Sequence, residues 1–227
     1  ICDKEYNSDD YNDYFEKYSF ELSDFQKYAI ESIILGNHIL ITAHTGSGKT
    51  LPAEFAIEYF TSKLRKVIYT SPIKALSNQK FHEFTKKYPN INVGIMTGDI
   101  KFNPDADVLI MTTEILQNNL YKRLQNIKTK TSLQFDMNIE SELACVIFDE
   151  VHYINDKDRG KVWEETIMML PKTVQMVMLS ATIDSPENFA NWCEKRYSDD
   201  NKKVWVASSL KRCVPLEHYT YVNVNNL

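Results

Sequence analysis

Glycine and proline are both scarce, 6 and 7 among 227 residues, and that excludes collagen-like, linker-like and low-complexity chains. The four cysteines, Cys2, Cys145, Cys193 and Cys213, contain no C-x-x-C pair. Zinc-type spacing and a disulfide framework are therefore absent, and a reducing, intracellular setting is expected. No apolar run approaches the ~18–20 residues of a membrane-spanning helix, and no secretory signal pattern is present. Basic excess is missing too: 26 Lys and Arg face 31 Asp and Glu, a net charge of −5. Nucleic-acid binding, if any, must then come from a local groove and not from bulk charge. Residues 1–19 carry six acidic side chains against two basic ones, and read as a mobile arm or packed lead-in in preference to a partner-binding tail. Ile1 in place of Met suggests a piece of something longer. With 43% hydrophobic residues, the chain is long enough for one large domain.

Seven short apolar runs stand out: residues 38–42, 66–71, 92–97, 107–113, 144–149, 174–180 and 202–208. They are rich in Val, Ile and Met and lack polar alternation, the signature of strands buried on both faces of a parallel sheet. Helical segments fall between them. One opens at Ser23, another inside residues 48–60, and others cover about 74–87, 113–124 and 160–170. The last follows Asp184-Ser185, where either residue can cap and Pro186 suits the first turn. This alternation predicts an α/β fold, a doubly wound, mostly parallel sheet with helices on both faces. Ligands should then sit beyond the carboxyl ends of the strands. Residues 125–143 are polar and without a period, and read as a loop or insertion.

The stretch Ala43-His44-Thr45-Gly46-Ser47-Gly48-Lys49-Thr50 follows the first run and opens a helix, the context a phosphate loop requires. Backbone N–H groups from Gly46 to Thr50, assisted by the helix N-terminus, suit the β- and γ-phosphates of a nucleotide. Lys49 would bridge phosphate oxygens and the Thr50 hydroxyl would bind Mg²⁺. Ala43 replaces the pattern's first glycine, and is harmless there provided its φ is negative. One hundred residues on, Phe148-Asp149-Glu150-Val151-His152 ends a buried run in two carboxylates. Such a pair can hold a hydrated Mg²⁺ (Asp149) and orient the attacking water (Glu150). Either motif alone has an ordinary explanation, a glycine turn or an acidic turn; together they describe an ATP–Mg²⁺ site.

Asp149-Glu150-Val151-His152 is a DExH box, and the chain resembles the first RecA-like domain of a superfamily-two helicase. Residues 20–30, 70–80, 96–99, 111–116, 148–160, 162–165 and 179–183 supply further motifs in order. The set is most similar to the superkiller-type and exosome-associated (Mtr-like) RNA helicases. Ser71-Pro72-Ile73-Lys74-Ala75-Leu76-Ser77-Asn78-Gln79-Lys80 combined with Arg159-Gly160 and Val162-Trp163-Glu164-Glu165 is specific to that branch, and Ala43-His44-Thr45 is a further mark of it. The resemblance implies that Phe20 stacks on adenine and Gln26 bonds its edge, against core packing as the plainer alternative for Phe20. It gives Thr45, Gly46, Ser47, Gly48, Lys49 and Thr50 to the nucleotide. His152 would link ATP to RNA through Ser180 or Thr182. Ser71, Pro72, Lys74, Gly98, Asp99 and Thr112 or Thr113 would face single-stranded RNA, gripping phosphate and ribose without reading bases. Trp163, Glu164 and Glu165 are expected to brace the DExH loop.

The resemblance further implies ATP-dependent 3′-to-5′ movement on RNA with a 3′ overhang, partners in an RNA-decay complex, and a second RecA-like domain in cis that supplies an arginine finger. Domain boundaries follow: an acidic lead-in over 1–19, the RecA-like domain over 20–210 and the start of a linker over 211–227. Rival readings are a DNA helicase of the related repair branch, a non-helicase phosphate-loop ATPase or nucleotide kinase, and a helicase-derived scaffold without activity.

Overall fold

A computed structural model of the chain describes residues 1–125, 137–181, 183–195, 202–209, 217, 219 and 220. The expected linker over 211–227, Thr182 and the centre of the expected insertion lie largely outside the described residues. The apolar runs become strands β1 (His38–Ala43), β2 (Lys66–Ser71), β3 (Val93–Met96), β5 (Val108–Thr112), β6 (Leu143–Phe148), β7 (Gln175–Ser180) and β8 (Val204–Ser209). An eighth, β4 (Lys101–Phe102), is two exposed residues long and has no apolar run to betray it. The order across the sheet is β4-β3-β5-β2-β6-β7-β1-β8. Every pairing is parallel except that of β3 with β4.

Because side chains alternate across a strand, the sheet has two cores. Ile68, Val146, Phe148 and Met178 face one side, where α5 (Thr113–Leu124), α6 (Gly160–Met169) and α7 (Pro186–Lys195) pack with Leu116, Trp163 and Cys193. Val67, Tyr69, Cys145 and Ile147 face the other, under α2 (Asp24–Ile34), α3 (Leu51–Thr61) and α4 (Lys74–Lys87). Helices on both faces of a parallel sheet are what the unalternating runs required. The start of α2 is set locally: the Ser23 amide donates to Gln26 Oε1 at 2.9 Å, one half of a capping box.

The acidic lead-in is packed. Its short helix α1 (Asn12–Phe15) sits beside a buried Tyr6, whose ring meets Phe15 and Tyr28 edge-on at 5.5 and 4.9 Å. Tyr14 meets Phe55 of α3 at 5.8 Å. The Cys2 amide donates to Val206 O at 2.8 Å, so the lead-in also pairs with the outer edge of β8. Six tyrosines and phenylalanines in the first twenty residues (Tyr6, Tyr11, Tyr14, Phe15, Tyr18 and Phe20) provide the apolar area that the net charge conceals. Near the expected insertion, Met137 and Ile139 are buried in the core beneath α5 and α6, so its described end is anchored.

Gly94 in β3 lies under the loop that returns from β4. A Cβ there would fall 2.0 Å from Asn103 O. Gly94→Ala is expected to cost about 1–3 kcal/mol through overpacking against backbone, read as a lowered denaturation midpoint.

Candidate functional site

The phosphate-loop candidate joins β1 to α3. Gly46 and Gly48 both have φ +83°, a left-handed conformation that favours glycine. Ala43 is the last residue of β1, is buried, and is not among the positive-φ residues, so the missing first glycine costs nothing. Ser47 Oγ donates to His44 O at 2.7 Å and closes the loop's first turn. Pro52 stands in the first turn of α3, with Thr50 at its N-cap. Thr45 and Gly46 are exposed at the loop's tip, whereas Lys49 is buried.

Strand order brings the acidic pair to this loop. β7 lies between β1 and β6, and all three end at the same edge of the sheet. Lys49 Nζ donates to Glu150 Oε1 and Oε2, at 3.1 and 3.3 Å. Glu150 has φ +56° and ψ +46°, a left-handed backbone that costs a non-glycine residue on the order of 1 kcal/mol. That twist ends β6 and starts the 3₁₀ turn Val151–Asn155. His152 Nδ1 lies 3.3 Å from Glu150 Oε2 without making a hydrogen bond. Ser180, at the end of β7, is fully buried and its Oγ has no hydrogen-bond partner. No hydrogen bond joins His152 to Ser180 Oγ.

Asp149 follows Phe148 and so falls on the opposite face, where Tyr69 OH donates to its Oδ2 at 2.7 Å. Burial pushes the Asp149 carboxyl above its ordinary range, opposed by the Tyr69 hydrogen bond. An acid raised in this way binds its proton more tightly folded than unfolded. Stability therefore rises as pH falls through the raised value toward the ordinary one, and above it the charged form is a standing penalty. Asp149→Asn is expected to raise the nucleotide-free melting temperature at pH 7, with the gain shrinking as pH falls. A gain that persists unchanged at low pH would assign the effect to something other than this carboxylate.

The adenine-side candidates behave differently from one another. Phe20 is 56% exposed, so the core-packing alternative is excluded; its ring lies 5.8 Å from that of Tyr18. Gln26 is buried, and both ends of its amide are occupied: Nε2 donates to Gly48 O at 3.1 Å while Oε1 serves the cap of α2. It ties the start of α2 to the phosphate loop.

A second group of candidates lines a cleft of about 550 Å³ where β2, β3 and β5 end. Pro72, Lys74, Gly98 and Thr112 meet there. Lys74 Nζ pairs with Asp99 Oδ2 at 2.6 Å and passes over Gly98. Two expectations need correction. Ser71 is fully buried and shares a 2.7 Å hydrogen bond with Ser77 Oγ, so its hydroxyl shapes the turn into α4 and is not offered to phosphate. Thr113 is also fully buried; Thr112, at the N-cap of α5, is the threonine that borders the cleft. Successive residues at a strand's end alternate in direction, so Ser71 and Thr113 turn into the core while their neighbours Pro72 and Thr112 face the cleft. Arg159 borders the cleft as well, and only its place in the 159–165 motif signalled it.

The bracing role divides. Trp163 is fully buried with its ring 6.0 Å from that of Phe148, the residue that precedes the acidic pair. Glu165 instead accepts from Gln117 Nε2 at 2.6 Å and joins α6 to α5, while Glu164 is exposed.

A parallel sheet with a glycine loop on one strand end, an acidic pair two strands away and a buried lysine between them defines a phosphate-loop NTPase domain of the RecA-like class. Residues 23–189 match the DEAD/DEAH box helicase family, and the chain belongs to that family. It is 47% identical over 198 residues to Antiviral helicase SKI2 of Saccharomyces cerevisiae, covering 87% of this chain and 14% of that protein. Superkiller complex protein 2 of Homo sapiens is 43% identical over 205 residues, covering 90% and 15%. ATP-dependent RNA helicase mtr4 of Schizosaccharomyces pombe is 43% identical over 204 residues, covering 90% and 17%. The resemblance to the superkiller and Mtr-like branch therefore holds, and the chain spans about a sixth of these relatives. Among solved structures, the DUF1998 helicase MrfA bound to DNA superposes with a TM-score of 0.64 at 16% identity, over 88% of this chain and 29% of that one. That likeness concerns the fold.

Proposed function

We propose that this chain is the first ATP-binding domain of an ATP-dependent RNA helicase of the superkiller type, with residues 20–210 as the domain and 211–227 as the lead to a second RecA-like domain. One observation carries the reading: a single sheet edge holds both the Lys49–Glu150 pair and, beginning at β2 next to β6, the cleft at the ends of β2, β5 and β3. Nucleotide chemistry and strand binding thus share one rigid support.

The residues present suit ATP with Mg²⁺. Asp149 is a buried carboxylate with one hydroxyl partner, Lys49 is a buried cation, and Ser180 Oγ is a buried polar atom without a partner. Thr50 and Asp149 would hold Mg²⁺, which when bound neutralises charge developing on the phosphates. Thr45 to Thr50 would cradle the phosphates, Phe20 would stack on the base, and Gln26 would meet its edge on releasing Gly48. Glu150 would orient the attacking water once Lys49 turns to phosphate. His152 and Ser180, with Thr182, would carry the nucleotide state toward the cleft. Pro72, Lys74, Gly98, Asp99 and Thr112 would border single-stranded RNA, with Lys74 exchanging Asp99 for a phosphate. This pair is exposed and its loss costs little.

Movement 3′ to 5′ from an overhang, partners in an RNA-decay complex and an intracellular site belong to the same reading. ATP turnover by the whole protein, measured with single-stranded RNA and with single-stranded DNA of the same sequence, tests it. RNA should stimulate turnover well beyond DNA. Preferential stimulation by DNA would favour the repair-branch alternative, and no stimulation by either would favour a plain ATPase.

A further inference from the structure

Arg159 is placed by the segment that carries the DExH box, nine positions after Glu150. The 3₁₀ turn Val151–Asn155 leads into a loop held by Asp156, whose Oδ1 accepts the amides of Asp158 and Arg159 at 3.0 and 2.9 Å. Gly160 closes that loop against backbone: a Cβ there would lie 2.2 Å from Ile154 O. The path from Glu150 to Arg159 is therefore short and stiff, with little slack to absorb a displacement.

The guanidinium reaches across to the other site. Arg159 Nη2 donates to Pro72 O, in the exit of β2, and to Glu114 Oε1, in the first turn of α5. One Nη2 carries two hydrogens, enough for both acceptors. The two acceptors belong to the two segments that frame the cleft, the β2 exit and the start of α5, beside Lys74 and Thr112. With Glu114 as its counter-ion, the guanidinium is already neutralised, which suits a strut better than a phosphate ligand. Tyr153 lies alongside, its ring centroid 5.9 Å from Cζ.

We propose that Arg159 is a positioning residue that couples the nucleotide site to the cleft by setting the spacing between the β2 exit and the start of α5. A shift of the DExH segment when Glu150 changes partner moves Arg159, and Arg159 moves Pro72 and Glu114 together. The inference rests on the RNA reading of the cleft and names the device that links it to ATP.

The test is a coupling ratio: the affinity of the whole protein for a single-stranded RNA oligonucleotide with a non-hydrolysable ATP analogue, divided by that without. Arg159→Ala should shrink the ratio by about 10-fold, within the span of coupling effects between sites. Arg159→Lys, which keeps the charge but not the planar fork, should restore part of it. Glu114→Gln should also reduce the ratio while leaving the DExH segment untouched, and the double variant should lose less than the sum of the singles. A variant that weakens RNA equally in both nucleotide states, with the ratio unchanged, would make Arg159 a simple contact and overturn the proposal. If Arg159→Ala does not fold, Glu114→Gln decides by the same ratio. RNA binding that ignores the nucleotide in the unaltered protein would sink the coupling role alone. Absence of RNA binding would sink the RNA reading along with it.

Discussion

Replacing Glu150 with Gln in the whole protein is expected to lower ATP turnover by about 10²–10⁴-fold, the range over which a positioned acid–base group contributes. Nucleotide binding should survive. Gln keeps the size and one carbonyl oxygen of Glu but cannot hold a negative charge. That charge has a use of its own, since both Glu150 oxygens accept from Lys49 Nζ. On the proposed reading an arriving phosphate takes Lys49 from Glu150, so Glu150→Gln should bind nucleotide as tightly as the parent or more so. Phosphate release and equilibrium binding of an ATP analogue separate the two effects. Turnover that persists would assign the water-positioning role to another group; binding that collapses would show that Glu150 holds the loop together.

Trp163→Ala should produce the largest loss of stability of any change considered. The side chain is fully buried among Phe148, Val151 and Ile167, and truncating a buried tryptophan costs about 3–5 kcal/mol. For a chain of this size each kcal/mol moves the melting temperature by about 2–4 °C, so a fall of roughly 6–20 °C is expected in a thermal scan. Trp163→Phe should recover much of it. Because Phe148 immediately precedes the acidic pair, the cavity opens beside the strand end that carries the site. The folded fraction at low temperature should therefore also turn over ATP more slowly. A midpoint within a degree of the parent would contradict the packing described.

The strands were legible because a sheet covered on both faces leaves no polar alternation, and the seven runs at 38–42 through 202–208 show none. The helix starts were legible where local chemistry sets them, as at Ser23 or at Asp184-Ser185 before Pro186. The nucleotide candidates were legible because Thr45 to Thr50 and Asp149-Glu150 are each contiguous, and contiguous residues carry their geometry with them. β4 escaped notice because two exposed residues have no pattern to offer. The sequence leaves open whether the lead-in is a mobile arm or packed, because its tyrosines argue for packing and its charge against.

Sequence by itself therefore determined the class of the chain, the order of its elements and the two ends of its candidate nucleotide site, all properties of short stretches read alone. Only the tertiary structure decided which threonine of 112 and 113 borders the cleft, that Ser71 is spent on Ser77, that Gln26 holds Gly48, and that Arg159 spans from Pro72 to Glu114. Each of these is a contact or a direction set by packing between elements. Which way a side chain at a strand end points, and what lies within 3 Å of it, is settled when the sheet's edge is assembled from strands far apart in the chain.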